Sequence, residues 1–491
     1  MERKKEYFSS RWGLIIATLG IAVGTGNIWR FSRVVAQNGG GSFLIPWVIF
    51  LFVWSVPLII AEFAIGKFAR KGPLGAIALL AGKNFAWIGA YIAFVSTAIM
   101  FYYSVVTGWV IRYFFSSIDG SIFKVKDYFQ YWNDFSSGFS PLFFHFVAMF
   151  VSGFVVYKGV KNGIEKTSRV LVVSLLAILL ILMIRALMLP NATEGLKYFF
   201  TPKTEYLFDF KVWLNALTQN AWDTGAGWGL ILTYAIYMRS REDVPLNASL
   251  IGFGNNSVSL VAGIIIFTTV FSLSTVDAMS RITEAGPANT GLTFIYLPML
   301  FKKFTSSEIL NIIFASAFFL ALMFAAISSL ISLVELTTRT FIDFGFDRKK
   351  SVLIVTTSGF LLGVPSALNM DFFANQDWVW GVGLILSGAG MAFAIIKFGI
   401  EKFRTELIND AGSDIKIGKW YNYVIAFLIP LQAVVLIVWW LVSSAQWDPE
   451  WWNPFHSLNA GTCLFQWAIV IALFIALNKF FVRLTFGENE K

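Results

Sequence analysis

The chain has 491 residues, of which 57% are hydrophobic and only 14% charged, with a mean hydropathy of +0.68. That is far more apolar material than one water-soluble core can bury, which excludes an ordinary soluble domain and indicates an all-α polytopic membrane protein. The net charge of +9 follows from basic residues placed between apolar runs rather than from a basic face, so no nucleic-acid partner is expected.

Twelve apolar runs of about 20 residues, each enough to cross about 30 Å of hydrocarbon, lie near residues 12–36, 42–68, 87–115, 141–158, 168–188, 213–238, 248–273, 309–342, 351–368, 376–400, 421–444 and 460–481. Lys and Arg crowd the amino terminus (Arg3, Lys4, Lys5, Arg11) and alternate loops at 67–83, 158–169, 239–241, 348–350 and 397–419, and the tail. By the positive-inside rule both termini are expected in the cytoplasm.

The first run is interrupted at its centre by Gly20-Ile21-Ala22-Val23-Gly24-Thr25-Gly26-Asn27-Ile28-Trp29-Arg30. An unpaired peptide group there costs several kcal/mol unless it lines a wet cavity or holds an ion. The run is also too long and too polar for a cleaved signal peptide. Cys463 lies alone within the last run and reads as apolar filler, and the sequons at Asn191 and Asn247 read as chance matches.

A polar stretch at 190–211 separates two groups of five runs, and the second group also opens on an interrupted run, Asn220-Ala221-Trp222-Asp223-Thr224-Gly225-Ala226-Gly227-Trp228-Gly229. Paired interruptions predict a 5+5 inverted repeat with a ligand site at the repeat interface. The expected units are residues 1–188, residues 189–401 with extracellular loop elements, and an accessory pair of spans with a cytoplasmic tail at 402–491. Each break frees N–H groups at one half-helix and carbonyl oxygens at the other, a donor set suited to a zwitterion beside a hard cation.

The segments Ala22 to Phe31 and Asn38-Gly39-Gly40-Gly41-Ser42-Phe43-Leu44-Ile45-Pro46 resemble the signature of the neurotransmitter:sodium symporter family and its bacterial amino-acid carriers. The resemblance continues at Glu62, Tyr102-Tyr103, the second break, Asn255 and Ala325-Ala326-Ile327-Ser328-Ser329, with Ser32 departing from the family's usual Pro. It implies two Na+ sites. One would use the Ala22 carbonyl, the Asn27 and Asn255 amide oxygens, an oxygen of Asp223 and the substrate carboxylate. The other would use the carbonyls of Gly20, Val23 and Ala325 with the hydroxyls of Ser328 and Ser329. Spacing agrees with the latter, since residues three and four past Ala325 share a helical face, although serine pairs in membrane helices also bond back to their own helix or join neighbours.

Chloride-dependent members have a Ser at the position of Asp223 and a Tyr at that of Trp47; Ser259 is kept. Asp223 is therefore expected to supply the negative charge itself, with no chloride required; a protonated Asp223 bonding a neighbouring helix is the alternative. Amine carriers have an Asp at position 24, and Gly24 favours an amino acid. Ala22, Gly24, Thr25, Gly26 and Tyr103 would hold its backbone, and Ile99, Trp222, Asp223, Gly225, Trp228, Ser329 and Leu333 would line a mostly apolar pocket for a hydrophobic or aromatic side chain.

By the same resemblance, Arg30 and Asp377 would form an outer gate, and Lys5, Asp343, Phe8 and Tyr237 an inner latch. Glu62 and Glu335 read as structural acids paired with backbone or neighbouring helices. An enzyme is not expected, because His145 and His456 stand apart with no catalytic motif around them. A receptor, a channel or a proton-coupled carrier on the same scaffold would keep these residues. Short outer loops without paired cysteines favour a bacterial inner membrane, and the twelfth span reads as either homodimer contact or simple packing.

Overall fold

The computed structural model describes residues 6–273, 278–283 and 290–487, and among these every regular element is helical. In chain order the main helices are α1 (Arg11–Ala22), α2 (Thr25–Gln37), α3 (Gly41–Ala69), α4 (Lys83–Ile118), α5 (Ser140–Tyr157), α6 (Val160–Leu187) and α7 (Phe210–Asp223). There follow α8 (Leu230–Ala235), α9 (Val244–Leu273), α10 (Glu308–Asp343), α11 (Arg348–Leu368), α12 (Met370–Phe398), α13 (Trp420–Trp447), α14 (Ala460–Ala476) and α15 (Asn478–Phe486).

Among the described residues nine helices, α3 to α6 and α9 to α13, are long and apolar enough to span a membrane alone. The pairs α1/α2 and α14/α15, bent by 65° and 57°, would raise that to eleven. The run expected at 213–238 is not one span: it is divided between α7 and the six-residue α8. Between them Gly225, Gly227 and Gly229 adopt φ of +67°, +86° and +79°, a region closed to most side chains and incompatible with a continuing right-handed helix.

Helix starts follow local chemistry. Ser10 Oγ accepts the Gly13 N–H at 3.0 Å to begin α1, Asp209 accepts the Lys211 N–H at 2.9 Å to begin α7, and Asn369 accepts the Phe372 N–H at 2.8 Å to begin α12. The inner helices are α4 and α10, which lie along one another; α1 packs on α6, α9 and α10, and α3 packs on α7 and α8. The outer helices expose apolar stripes, Phe143, Phe146, Phe150 and Phe154 on α5 and Val170, Val173, Ile181 and Ile184 on α6, at the three- and four-residue spacings of one helix face. At the chain's end α15 turns back on the start of α4, where Asn478 accepts the Trp87 N–H at 2.8 Å and donates to the Lys83 carbonyl at 3.0 Å.

Close approach of α3 and α8 rests on Gly66, where a Cβ would stand 2.2 Å from the Leu232 carbonyl oxygen. Gly66→Val is expected to destabilise the protein by about 1–3 kcal/mol or more. Thermal unfolding in detergent reads the loss, and an unchanged melting temperature would show that the two backbones are not held in contact.

Candidate functional site

α1 ends at Ala22, with the Val23 N–H still bonded to the Leu19 carbonyl at 2.8 Å, and the chain resumes helix at Thr25. The Gly24 N–H is taken by Asn27 Oδ1 at 2.8 Å. It is therefore already engaged within the loop, whereas Thr25 faces outward, its N–H and hydroxyl 3.5 Å and 3.4 Å from the Tyr103 hydroxyl on α4. A Cβ on Gly24 would lie 3.1 Å from Ser329 Oγ and 3.3 Å from that same tyrosine oxygen, so the first break, α4 and α10 converge on one point.

The second break depends on Glu62, a fully buried acid of α3. Its carboxylate accepts the Gly227 N–H at 2.7 Å and the Leu232 N–H at 2.9 Å, two donors that the interrupted helix leaves without carbonyl partners. The Trp228 carbonyl accepts from Ser96 Oγ at 2.6 Å, and the Trp228 indole N–H donates to the Ala221 carbonyl at 3.1 Å. Upstream, Asn220 donates to the Trp47 carbonyl at 2.9 Å and accepts from Ser55 Oγ at 3.2 Å, tying α7 to α3. Ser55 and Ser96 escape a motif-based reading because isolated serines in apolar runs are common; only the three-dimensional path of the broken helix gives them a partner.

Between the breaks lies a cavity of about 330 Å³. Ala22, Gly24, Thr25, Gly26, Tyr103, Trp222, Asp223, Gly225, Trp228, Ser329 and Leu333 all line it. Ile99 does not: it is buried in the core one turn before Tyr103, so the α4 face presented to the cavity is that of Tyr102, Tyr103, Val106 and Trp109. Phe373 and Asp377 of α12, four residues apart on one face, line it as well; the resemblance points to Asp377 and not to Phe373.

Oxygen atoms gather at two places beside the cavity. Asn27 Nδ2 lies 2.7 Å from Asn255 Oδ1 and 2.9 Å from Ser259 Oγ. The same terminal atom of Asn255 is 3.0 Å from the Ala22 carbonyl oxygen and 3.2 Å from that of Asp223. As oxygen, it forms with them a cluster of acceptors that only a cation can hold together; as nitrogen, it donates to both carbonyls. Asp223 is 5% exposed, and neither carboxylate oxygen has a hydrogen-bond partner among the described residues. One of them stands 3.0 Å from where a Gly26 Cβ would be. At the second place, Ser328 Oγ donates to the Ala325 carbonyl at 3.0 Å, while Ser329 Oγ reaches across to the Gly20 and Ile21 carbonyls at 3.4 Å and 3.3 Å. The serine pair thus bonds both to its own helix and to the end of α1.

The two ends of the cavity differ. Arg30, Arg33 and Asp377 line one end, and the Arg30 guanidinium carbon lies 4.6 Å from the Trp222 ring centroid. At the other end the chain is closed. Phe8 packs on Tyr234 and Tyr237 with ring centroids 5.8 Å and 6.4 Å apart, and Tyr237 donates to Glu335 at 2.5 Å. Arg348 pairs with Glu335 at 2.7 Å and with Glu6 at 2.5 Å. Of the expected Lys5 to Asp343 latch, Lys5 lies outside the described residues, and Asp343 is bonded to Arg339 at 2.8 Å, one turn back on α10, and to the Gly72 N–H at 2.6 Å. Arg348, at the first turn of α11, reaches the buried Glu335 instead. Arg348→Ala leaves that buried carboxylate without its cation, at an expected cost of about 3–5 kcal/mol. Pairing it with Glu335→Leu should recover part of the melting temperature, and a double variant no more stable than the single would overturn this account.

Comparison with known proteins agrees with this architecture. The profile described as the sodium:neurotransmitter symporter family matches residues 5–134 and 140–485. The chain is 32% identical over 456 residues to an uncharacterised sodium-dependent transporter of Methanocaldococcus jannaschii, across 88% of this chain and 90% of that one. It is 30% identical over 464 residues to an uncharacterised sodium-dependent transporter of Bacillus subtilis, across 89% of this chain and 98% of the other. Among solved structures, MhsT in complex with L-phenylalanine matches with a TM-score of 0.77 at 29% identity, covering 89% of this chain and 99% of that one. With this coverage and an all-helical, membrane-crossing fold, the chain belongs to the sodium:neurotransmitter symporter family, a family of sodium-dependent membrane transporters rather than enzymes.

Proposed function

We propose that the protein is a symporter that couples uptake of a hydrophobic or aromatic amino acid to Na+, by alternating access across a bacterial inner membrane with both termini cytoplasmic. The carrying observation is the cavity itself: two helix breaks, the Tyr103 hydroxyl and a ring of apolar side chains surround it, and two groups of oxygens flank it. A substrate carboxylate would sit by Thr25, Gly26 and Tyr103, with its side chain toward Trp222, Gly225, Trp228 and Leu333. That MhsT was solved with L-phenylalanine supports the substrate class.

In this reading one Na+ joins the oxygens of Ala22, Asn27, Asp223 and Asn255 with the substrate carboxylate, and a second joins Gly20, Val23, Ala325, Ser328 and Ser329. Hard, mostly neutral oxygen donors suit an alkali ion. The two helix groups, 1–188 and 189–401, act as inverted repeats about this site. The arrangement fits an outward-facing state, with Arg30 and Asp377 on the outer side of the cavity and Glu335, Arg348 and Tyr237 closing the cytoplasmic side. The unpartnered Asp223 carboxylate supplies the negative charge for which relatives use chloride; the same observation favours, as a second reading, a proton carried on Asp223.

Three measurements bear on this. Proteoliposomes given an inward Na+ gradient should accumulate labelled phenylalanine or leucine above the external concentration, and equal entry with K+ on both sides would refute symport. Replacing chloride by gluconate should leave uptake unchanged, and its abolition would overturn the role given to Asp223. Asp223→Asn should weaken Na+-dependent binding by about tenfold or more, whereas full retention at neutral pH would favour the protonated form.

A further inference from the structure

The Trp222 indole is clasped between two groups that keep it to one side of the cavity. On one face is the Arg30 guanidinium, 4.6 Å from the ring centroid. Against the ring's edge is α12, at Gly381: a Cβ there would lie 2.0 Å from Trp222 Cζ2, 2.8 Å from Cη2 and 3.0 Å from Cε2. The glycine is not required by backbone conformation, since Gly381 is absent from the positive-φ residues. Nor is it explained by close helix approach, because the three nearest atoms all belong to the indole. At Gly66, Gly41 and Gly89, by contrast, backbone atoms of the facing segment stand nearest. Gly381 also lies one turn beyond Asp377, on the face that α12 turns to the cavity.

We propose that Gly381 is a positioning residue that sets the size of side chain the cavity accepts, by providing a slot in α12 for the Trp222 indole. The proposal rests on the amino-acid reading above and extends it to a specific determinant. With a Cβ in the slot, the ring can escape only by rotating toward the cavity, because α12 stands behind it and Arg30 and Trp228 flank it; the Trp228 ring centroid is 5.9 Å away. Large ligands then lose room that small ones never used, so selectivity changes while the ion oxygens and Tyr103 stay in place.

The test is Na+-dependent binding of alanine, leucine, phenylalanine and tryptophan to the purified full-length protein. Gly381→Ala is expected to weaken phenylalanine and tryptophan by about tenfold or more while changing alanine by less than about threefold. Adding Trp222→Leu should restore the large ligands, because the displaced ring is gone. A uniform loss across the panel, an unchanged panel, or failure of the double variant to recover would each overturn the slot. Should Gly381→Ala not fold, Trp222→Leu in the same chain must restore a monodisperse protein, and persistent misfolding would equally overturn it. A wild-type protein that binds no member of the panel refutes the amino-acid reading instead, so the two failures are told apart.

Discussion

A peptide group released from a helix deep in hydrocarbon must find a partner inside the protein, and in this chain the buried carboxylate of Glu62 meets that demand for the second break. Its two oxygens take the N–H groups of Gly227 and Leu232, which lie on either side of the turn made by Gly227 and Gly229. Charge-assisted bonds to backbone N–H groups are stronger than neutral ones, and they also offset the cost of burying the charge. Without that bond set the glycine turn would expose donors to lipid, and the space between the breaks would collapse or close into helix.

The first break is supported differently. Asn27 folds back on Gly24, and the remaining groups near it face Tyr103, Ser329 and the amides of α9. One break is thus held by a fixed acid from a neighbouring helix, the other by short-range polar contacts that its own loop and two facing helices share. The cavity inherits this asymmetry: its α3 side is anchored by buried charge, and its α4 and α10 side by hydroxyl groups.

Much of this was readable from residue order. Glycine, Asn and Arg within an apolar run mark where α1 stops, and the glycines at 225, 227 and 229 mark where α7 stops. The ends of most long helices also fall within a few residues of the apolar runs, whereas α6 and α12 start earlier, at Val160 and Met370. What escaped depends on long-range placement. Ile99 shares a helix face with Tyr103, but it lies one turn, about 6 Å, farther along α4, where the core and not the cavity surrounds it. Glu335 takes its partner, Arg348, from α11, while Asp343 pairs with Arg339 on its own helix. Glu62 was visible as an intramembrane acid, yet its function depends on N–H groups 165 and 170 positions away.

The unequal strength of contacts around the Trp228 turn has a mechanical consequence. α3, α7 and α8 are joined by short bonds through Glu62, Asn220 and Ser55 and by the Gly66 backbone contact, so they resist separation as a unit. Across the facing boundary, Ser329 holds the end of α1 by bonds of 3.3 Å and 3.4 Å, and α12 meets Trp222 through van der Waals contact alone at Gly381. Shear at these two points would part weaker contacts than shear through the Glu62 cluster, which would strand a bare charge in oil.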